Sequence, residues 1–218
     1  MKLDKNKRIL ALLAALGGVV LLTRKRDPKK LSKDQRIALV KHLAYQLGIK
    51  PSVALAVMEV ESGGKAYASD GRMVIRFEPH IFTRKPTKKS RHYQGPNPSV
   101  PVKRGQKGEW KTLARAMSVN RSAALKSISM GSAQIMGFNH KRVGHSTVES
   151  MWNAYNASEA NQIRGFFAFV KSDPKLLKAA RTHDWRTFAI RYNGWGGRNT
   201  YPPKMKAAWK RWRARGFA

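Results

Sequence analysis

The stretch Pro51-Ser-Val53-Ala54-Leu-Ala-Val57-Met-Glu59-Val60-Glu61-Ser-Gly63-Gly64 reads as one helix with a marked start and stop. Proline suits a first helical turn, where its missing N–H is not needed, and a glycine pair supplies the left-handed backbone that closes a helix. At about 100° per residue, Val53, Val57 and Val60 share a narrow arc, Glu61 falls at its edge beside Ala54, and Glu59 points to the far side. Turning that arc to a core withdraws Glu61 from water at the C-terminal end of the helix. Lost hydration and the negative end of the helix dipole both disfavour a carboxylate, so Glu61 is expected to keep its proton near neutral pH. That is what a general acid requires, although spacing alone does not separate it from a surface glutamate at a helix edge. Glu59 is expected to be an ordinary solvated glutamate.

Outward from this helix the chain reads as mainly α with one small β element. Ser32-x-x-Gln35 is a capping box, and Ile37, Val40, Leu43 and Leu47 follow at helical spacing up to Gly48. Residues 73–78 alternate like a strand after the turn Ser69-Asp70-Gly71-Arg72, which predicts a small β-hairpin. Residues 83 to about 109 carry four Pro, three Gly and many cations, the composition of a long surface loop. Helices are expected at roughly 110–127, 133–138, 156–171, 174–183, 184–191 and 203–214, with Ser129-Met130-Gly131 as a tight turn. Residues 31–218 are thus expected to form one domain behind an N-terminal segment, 1–30.

Lys and Arg number 44 against 12 Asp and Glu among 218 residues, a formal net charge of +32 that excludes an ordinary neutral domain and points to a polyanionic partner. Hydrophobic residues at 42%, with six Trp, exclude a wholly disordered basic tail. With no cysteine, disulfides, thiolate metal sites and a Cys nucleophile are excluded. Residues 1–30 carry +7, residues 83–111 carry +8 and residues 204–215 carry +6, so 21 of the 32 charges sit in three stretches. The uncharged run from Ile9 to Thr23 between basic flanks reads as an uncleaved membrane anchor. It is shorter than the roughly 20 residues of a full span, and a cleaved signal or a buried apolar helix competes with it. The tail, with Trp209 and Trp212 among cations, suits an anionic membrane surface as well as it suits a terminal helix packed on the core.

Five ordered blocks carry a resemblance: Val60-Glu61-Ser62-Gly63-Gly64; Asp70-Gly71-Arg72 with Ile75-Arg76-Phe77-Glu78-Pro79-His80-Ile81-Phe82; Ser127 to Asn139; Ser158-Glu159-x-x-Gln162; and Asp184-Trp185-x-x-Phe188-Ala189 with Tyr192-Asn193-Gly194. Across about residues 51–205 they resemble the phage N-acetylmuramidase (endolysin) family of the lysozyme-like superfamily, and also goose-type lysozymes and lytic transglycosylases. The resemblance implies an α+β lysozyme-like fold and cleavage of the β-1,4 bond between N-acetylmuramic acid and N-acetylglucosamine, with Glu61 matching the general acid. A second carboxylate is expected from Glu78 or Asp70, Glu78 matching its block more closely; an ion pair with a nearby Arg or Lys is its plain alternative. Should neither serve, Glu61 acts as both acid and base with help from the substrate's N-acetyl group, as in transglycosylases. Gln134, Tyr192 and Asn193 match cleft-lining positions, with hydrogen bonds to acetamido groups, support of Glu61 or sugar stacking as their tasks, and capping as the plain alternative for the two amides.

No cofactor is implied. The six His are scattered without metal-ligand spacing, so no metal is expected. Two classes of function follow: a membrane-anchored muramidase that binds peptidoglycan glycan strands, phage-borne and placed in a virion membrane or facing the periplasm, or a nonenzymatic basic module that binds nucleic acid.

Overall fold

The computed structural model describes residues 29–83, 98–102 and 105–218. Helix α1 (Lys33–Gln46) starts at the expected capping box, with Ser32 Oγ accepting from the Gln35 N–H at 3.1 Å and Gln35 Oε1 accepting from the Ser32 N–H at 3.0 Å. Helix α2 (Pro51–Ser62) ends on Gly63 at φ 63°. Every residue of α2 from Pro51 to Met58 is buried. A helix apolar on all sides belongs at the centre of a core, and α2 is packed between α1 and the C-terminal helix.

Strand β1 (Ile75–Phe77) and the short helix α3 (Pro79–Phe82) precede helix α4 (Gln106–Val119) and helix α5 (Arg121–Lys126). The helix expected from residue 110 therefore begins inside the stretch read as loop, and it breaks at Asn120, whose extended backbone and side-chain cap start α5. Strands β2 (Ile128–Met130) and β3 (Ile135–Met136) complete an antiparallel sheet in the order β1-β2-β3. Only a single bridge, Tyr67 with Met73, spans the Asp70 turn, so strand 73–78 finds its main partner some fifty residues later rather than in a local hairpin. The Ser129–Gly131 segment, expected as a turn, is largely strand, and the turn lies at Gly131–Gln134.

On its other edge β1 is met by side chains of α4. The Ile75 N–H donates to Gln106 Oε1 at 3.0 Å, Gln106 Nε2 donates to the Ile75 carbonyl at 2.8 Å, and the Phe77 N–H donates to Glu109 Oε2 at 2.8 Å. Two side chains thus satisfy backbone groups that a further strand would otherwise occupy.

A 3-10 helix (Gly137–Val143) follows, then helices α6 (Val148–Ala157), α7 (Glu159–Lys171), α8 (Pro174–Thr182) and α9 (Trp185–Asn193), a 3-10 turn (Trp195–Gly197) and helix α10 (Tyr201–Ala214). The helix expected at 133–138 is instead turn, β3 and 3-10 helix; its short apolar run carries no period that separates the two readings. Ser158, extended at φ -158°, divides α6 from α7. One cluster of buried side chains runs from Val40 to Met205, with Phe77, Phe82, Tyr155, Phe166 and Phe188 among its largest members.

Helix α10 lies against α2 through buried Met205 and Ala208. Trp209 packs in tilted geometry against His183 and Trp185, with ring centroids 4.7 and 5.9 Å away, and Trp212 Nε1 donates to Glu59 Oε2 at 2.7 Å. Both tail tryptophans therefore face the protein, not an external surface. Glu59 is not simply solvated, because Arg211 also pairs with it.

Among the described residues no helix is long and apolar enough to cross a membrane. The expected single-pass placement, in a virion membrane or the host inner membrane, is corrected accordingly. The run Ile9–Thr23 that prompted it lies outside the described residues, as does most of the basic 83–109 stretch.

Candidate active site

Three helices and the three-stranded sheet converge on a cavity of about 200 Å³ lined by Glu61, Arg76, Glu78, Ser129, Gln134, Met136, Tyr192, Asn193 and Tyr201. Glu61 enters from the last turn of α2. Alternation along β1 buries Ile75 and Phe77 on one face and turns Arg76 to the other. Pairing sets Arg76 opposite Ser129 and Ser129 opposite Met136, so one row across the three strands forms a wall of the cavity. Asn193 closes α9, and Tyr201 opens α10.

Asn193 Nδ2 donates to Glu61 Oε1 at 2.7 Å. Burial pushes the Glu61 carboxyl from its ordinary 4.5 up to about 7, against smaller downward pulls from the Asn193 hydrogen bond and the Arg76 charge. The protonated form that an acid catalyst needs is therefore retained to higher pH than in an ordinary glutamate. The Tyr201 phenol is raised as well, first by burial and then by the Glu61 charge.

Glu78 lies in the same cavity, ion-paired with Arg76 Nε at 3.0 Å and with His80 Nδ1 at 3.7 Å. Asp70 does not line the cavity. Its carboxylate accepts from Arg72 Nε at 2.9 Å and from the Arg72 N–H at 3.1 Å, contacts that hold it below its ordinary range and serve the turn.

Gln134 lines the cavity, but its amide is committed to its own loop. Oε1 accepts from Ser129 Oγ at 2.7 Å and Nε2 donates to the Gly131 carbonyl at 2.8 Å, while the residue sits at φ 50°. The Tyr192 hydroxyl donates to the Ala133 carbonyl at 2.7 Å, and its ring stacks on Phe188 at 5.3 Å between Phe166 and Phe169. Both residues thus fix the loop that faces Glu61. The buried Gln162 joins them: its Oε1 accepts from the Ser132 N–H at 2.9 Å and its Nε2 donates to the Tyr155 carbonyl at 2.9 Å. Ser62, next to Glu61, donates to the Ser132 carbonyl at 2.7 Å.

The sequence assigns no cleft role to Arg76, Ser129, Met136 or Tyr201, all of which line the cavity. Strand parity points Arg76 away from Ile75 and Phe77 and was a usable signal; nothing local in the sequence places Tyr201 beside Glu61. A larger cavity of about 360 Å³ is walled by Lys33, Arg36, Glu59, Arg211 and Arg215 among others, and its one carboxylate, Glu59, is paired with Arg211 and Trp212. Among the described residues no three metal-ligating side chains converge.

A family model described as N-acetylmuramidase matches residues 50–213, from the start of α2 into α10. The chain belongs to the N-acetylmuramidase family. It is an enzyme that acts on peptidoglycan, which decides against the nonenzymatic nucleic-acid reading. This N-acetylmuramidase is similar to the crystal structure of a Burkholderia AP3 phage endolysin, with 32% identity over 88% of this chain and 74% of that chain and a TM-score of 0.69. No match was found among curated proteins. All nine residues lining the Glu61 cavity fall within the matched segment, whereas α1 precedes it.

Proposed function

We propose that this N-acetylmuramidase cleaves the β-1,4 bond between N-acetylmuramic acid and N-acetylglucosamine, with Glu61 as general acid. The observation that carries the reading is the half-buried Glu61 carboxyl at the end of α2, bonded to Asn193 in a cavity that it shares with Glu78, where burial raises its proton affinity. Glu61 delivers its proton to the glycosidic oxygen, the bond from that oxygen to C1 breaks, and positive charge develops on the ring. Glu78, in the same cavity, is the second carboxylate, stabilising that charge, orienting the water that adds to C1 and taking the proton which that water loses. Asn193 sets the Glu61 rotamer and offers an amide to substrate, and Gln134 and Tyr192 act by holding the loop wall.

One observation favours a second route. Arg76 Nε pairs with Glu78 Oε1 at 3.0 Å, which occupies a carboxylate oxygen that would otherwise orient a water. Glu61 then works alone: the substrate's acetamido oxygen closes on C1 as the glycosidic bond breaks, and the 6-hydroxyl displaces it while giving its proton back to Glu61, as in a lytic transglycosylase. Mass spectrometry of muropeptides released from purified peptidoglycan separates the two: reducing muramic ends mean hydrolysis, and 1,6-anhydro ends mean transglycosylation. Absence of release by the wild type, or undiminished release by Glu61→Gln, overturns the assignment of Glu61.

Residues 31–218 are proposed as the catalytic unit, supported by the single core from Val40 to Met205 and by docking of α1 on α2. The likeness to an endolysin supports a phage lytic role, with virion-borne wall penetration as its variant. The net charge of +32 supports retention on anionic wall polymer.

A further inference from the structure

A cavity of about 200 Å³ is smaller than the ~300–1,000 Å³ common for sites that enclose a small ligand. Cleaving a bond between two hexosamines requires a grip on sugars at both sides of it, so much of the substrate must lie on open surface beyond the cavity. The six tryptophans divide sharply with respect to such a surface. Trp110, Trp152, Trp185, Trp209 and Trp212 all pack on the core, whereas Trp195 is 66% exposed.

Trp195 is also placed and fixed. Its 3-10 turn directly follows Asn193, the partner of Glu61, after Gly194 at φ 82°. The turn closes tightly on two cavity-lining residues: a Cβ built on Gly197 meets Asn193 Cβ at 2.9 Å and Tyr201 Cδ2 at 3.1 Å. Arg198 lies over one face of the indole, its guanidinium 5.0 Å from the ring centroid, and its Nη1 donates to the Trp195 carbonyl at 3.0 Å, while the residue stays 66% exposed. An aromatic face that is electron-rich, oriented and wet is suited to the apolar C–H face of a pyranose, which gains contact and releases water from both surfaces.

We propose that Trp195 is a sugar-stacking platform on the rim of the Glu61 cavity, taking a hexosamine of the glycan strand outside the cavity itself. This rests on the muramidase reading above and adds a binding position to it. Trp195 is assigned a binding role and no part in proton transfer.

The test uses the full chain with Trp195→Ala and Trp195→Phe, assayed on soluble glycan strands of graded length. Trp195→Ala is expected to raise KM roughly two- to tenfold with kcat and its pH profile unchanged, the order of one aromatic contact, and to weaken the dependence of KM on strand length. Trp195→Phe is expected to restore most of the loss. In the Glu61→Gln background, sedimentation with insoluble peptidoglycan should fall when Trp195→Ala is added. That binding arm is read whether or not the wild type turns over. Unchanged KM and unchanged sedimentation sink the platform, as does a loss confined to kcat or accompanied by a shifted pH profile, which would mark a disturbed Asn193. A wild type that binds strands but releases no products removes the muramidase reading and leaves the platform standing.

Discussion

Asn193 Nδ2 donates to Glu61 Oε1 at 2.7 Å, while Asn193 Oδ1 is buried with no hydrogen-bond partner among the described residues. The bond favours the ionised form of Glu61, opposing the burial that protonates it. A general acid works only while protonated, so activity is expected to fall as pH rises through about 7. Removing the donor with Asn193→Ala should move that alkaline limb to higher pH and lower kcat, because the acid is then held less firmly. The kcat–pH profile checks both; a limb that stays in place or moves down excludes this coupling.

The same burial costs stability. A carboxyl with an ordinary value of 4.5 and a native value of about 7 is protonated in both states below pH 4.5. Between 4.5 and 7 the unfolded chain ionises and the native one does not, so stability declines as pH rises and levels off above 7. Glu61→Gln is expected to cut kcat by about 10³-fold. It should also stabilise the fold at pH 8 by up to about 3 kcal/mol, with little effect at pH 4. Denaturant titrations at the two pH values read the difference. Equal stability changes at both would mean that Glu61 is not desolvated.

Much of this arrangement was legible in the sequence because it is local. Glycine punctuation and the valine arc placed Glu61 at the inner end of a helix, and Ser32-x-x-Gln35 gave the start of α1. What escaped was long-range. The partner of β1 comes from residues 128–130, and its other edge is met by Gln106 and Glu109 from a stretch whose composition reads as loop. Tyr201 reaches Glu61 only because α10 folds back along α2. The amides of Gln134 and Gln162 also look alike in sequence, yet one lines the cavity while the other is buried behind it. The charged C-terminal helix hid its inward face, because Trp209 and Trp212 read equally well as membrane contacts.

Gly131 sits at φ 72°, and a Cβ there lies 2.3 Å from Gln162 Oε1 and 2.5 Å from its Cδ. Gly131→Ala must displace the side chain that holds the Ser132 N–H and also adopt a strained backbone. A loss of about 2–4 kcal/mol is expected, together with reduced kcat as the Gln134 loop shifts. Calorimetry and turnover on peptidoglycan check it; full stability would show that the Gln162 clamp is soft.

Glu109 accepts from the buried Phe77 N–H, one residue from Arg76. Glu109→Ala leaves that donor without its acceptor and is expected to destabilise the fold by about 1–3 kcal/mol. Exchange of the Phe77 amide hydrogen should quicken by more than that of Val57 in α2. Uniform acceleration would instead point to a global effect with no special role at the sheet edge.

Glu78 decides between the two chemical routes. If it orients the attacking water, Glu78→Gln keeps the shape of the side chain but removes the charge that steadies the cationic transition state, and kcat should fall about 10²–10⁴-fold with reducing ends retained. The substitution also frees Arg76, whose charge then acts on Glu61 without the neighbouring anion to offset it. The Glu61 value should drop and the alkaline limb should move to lower pH, opposite in sign to Asn193→Ala. Under the single-acid route the charge of Glu78 is dispensable, so kcat stays within a few-fold, the limb still moves down, and the products carry 1,6-anhydro ends in wild type and variant alike. Turnover, limb position and product mass together separate loss of a second carboxylate from a field effect on the first. A limb that does not move at all would show that Arg76 and Glu61 are not coupled.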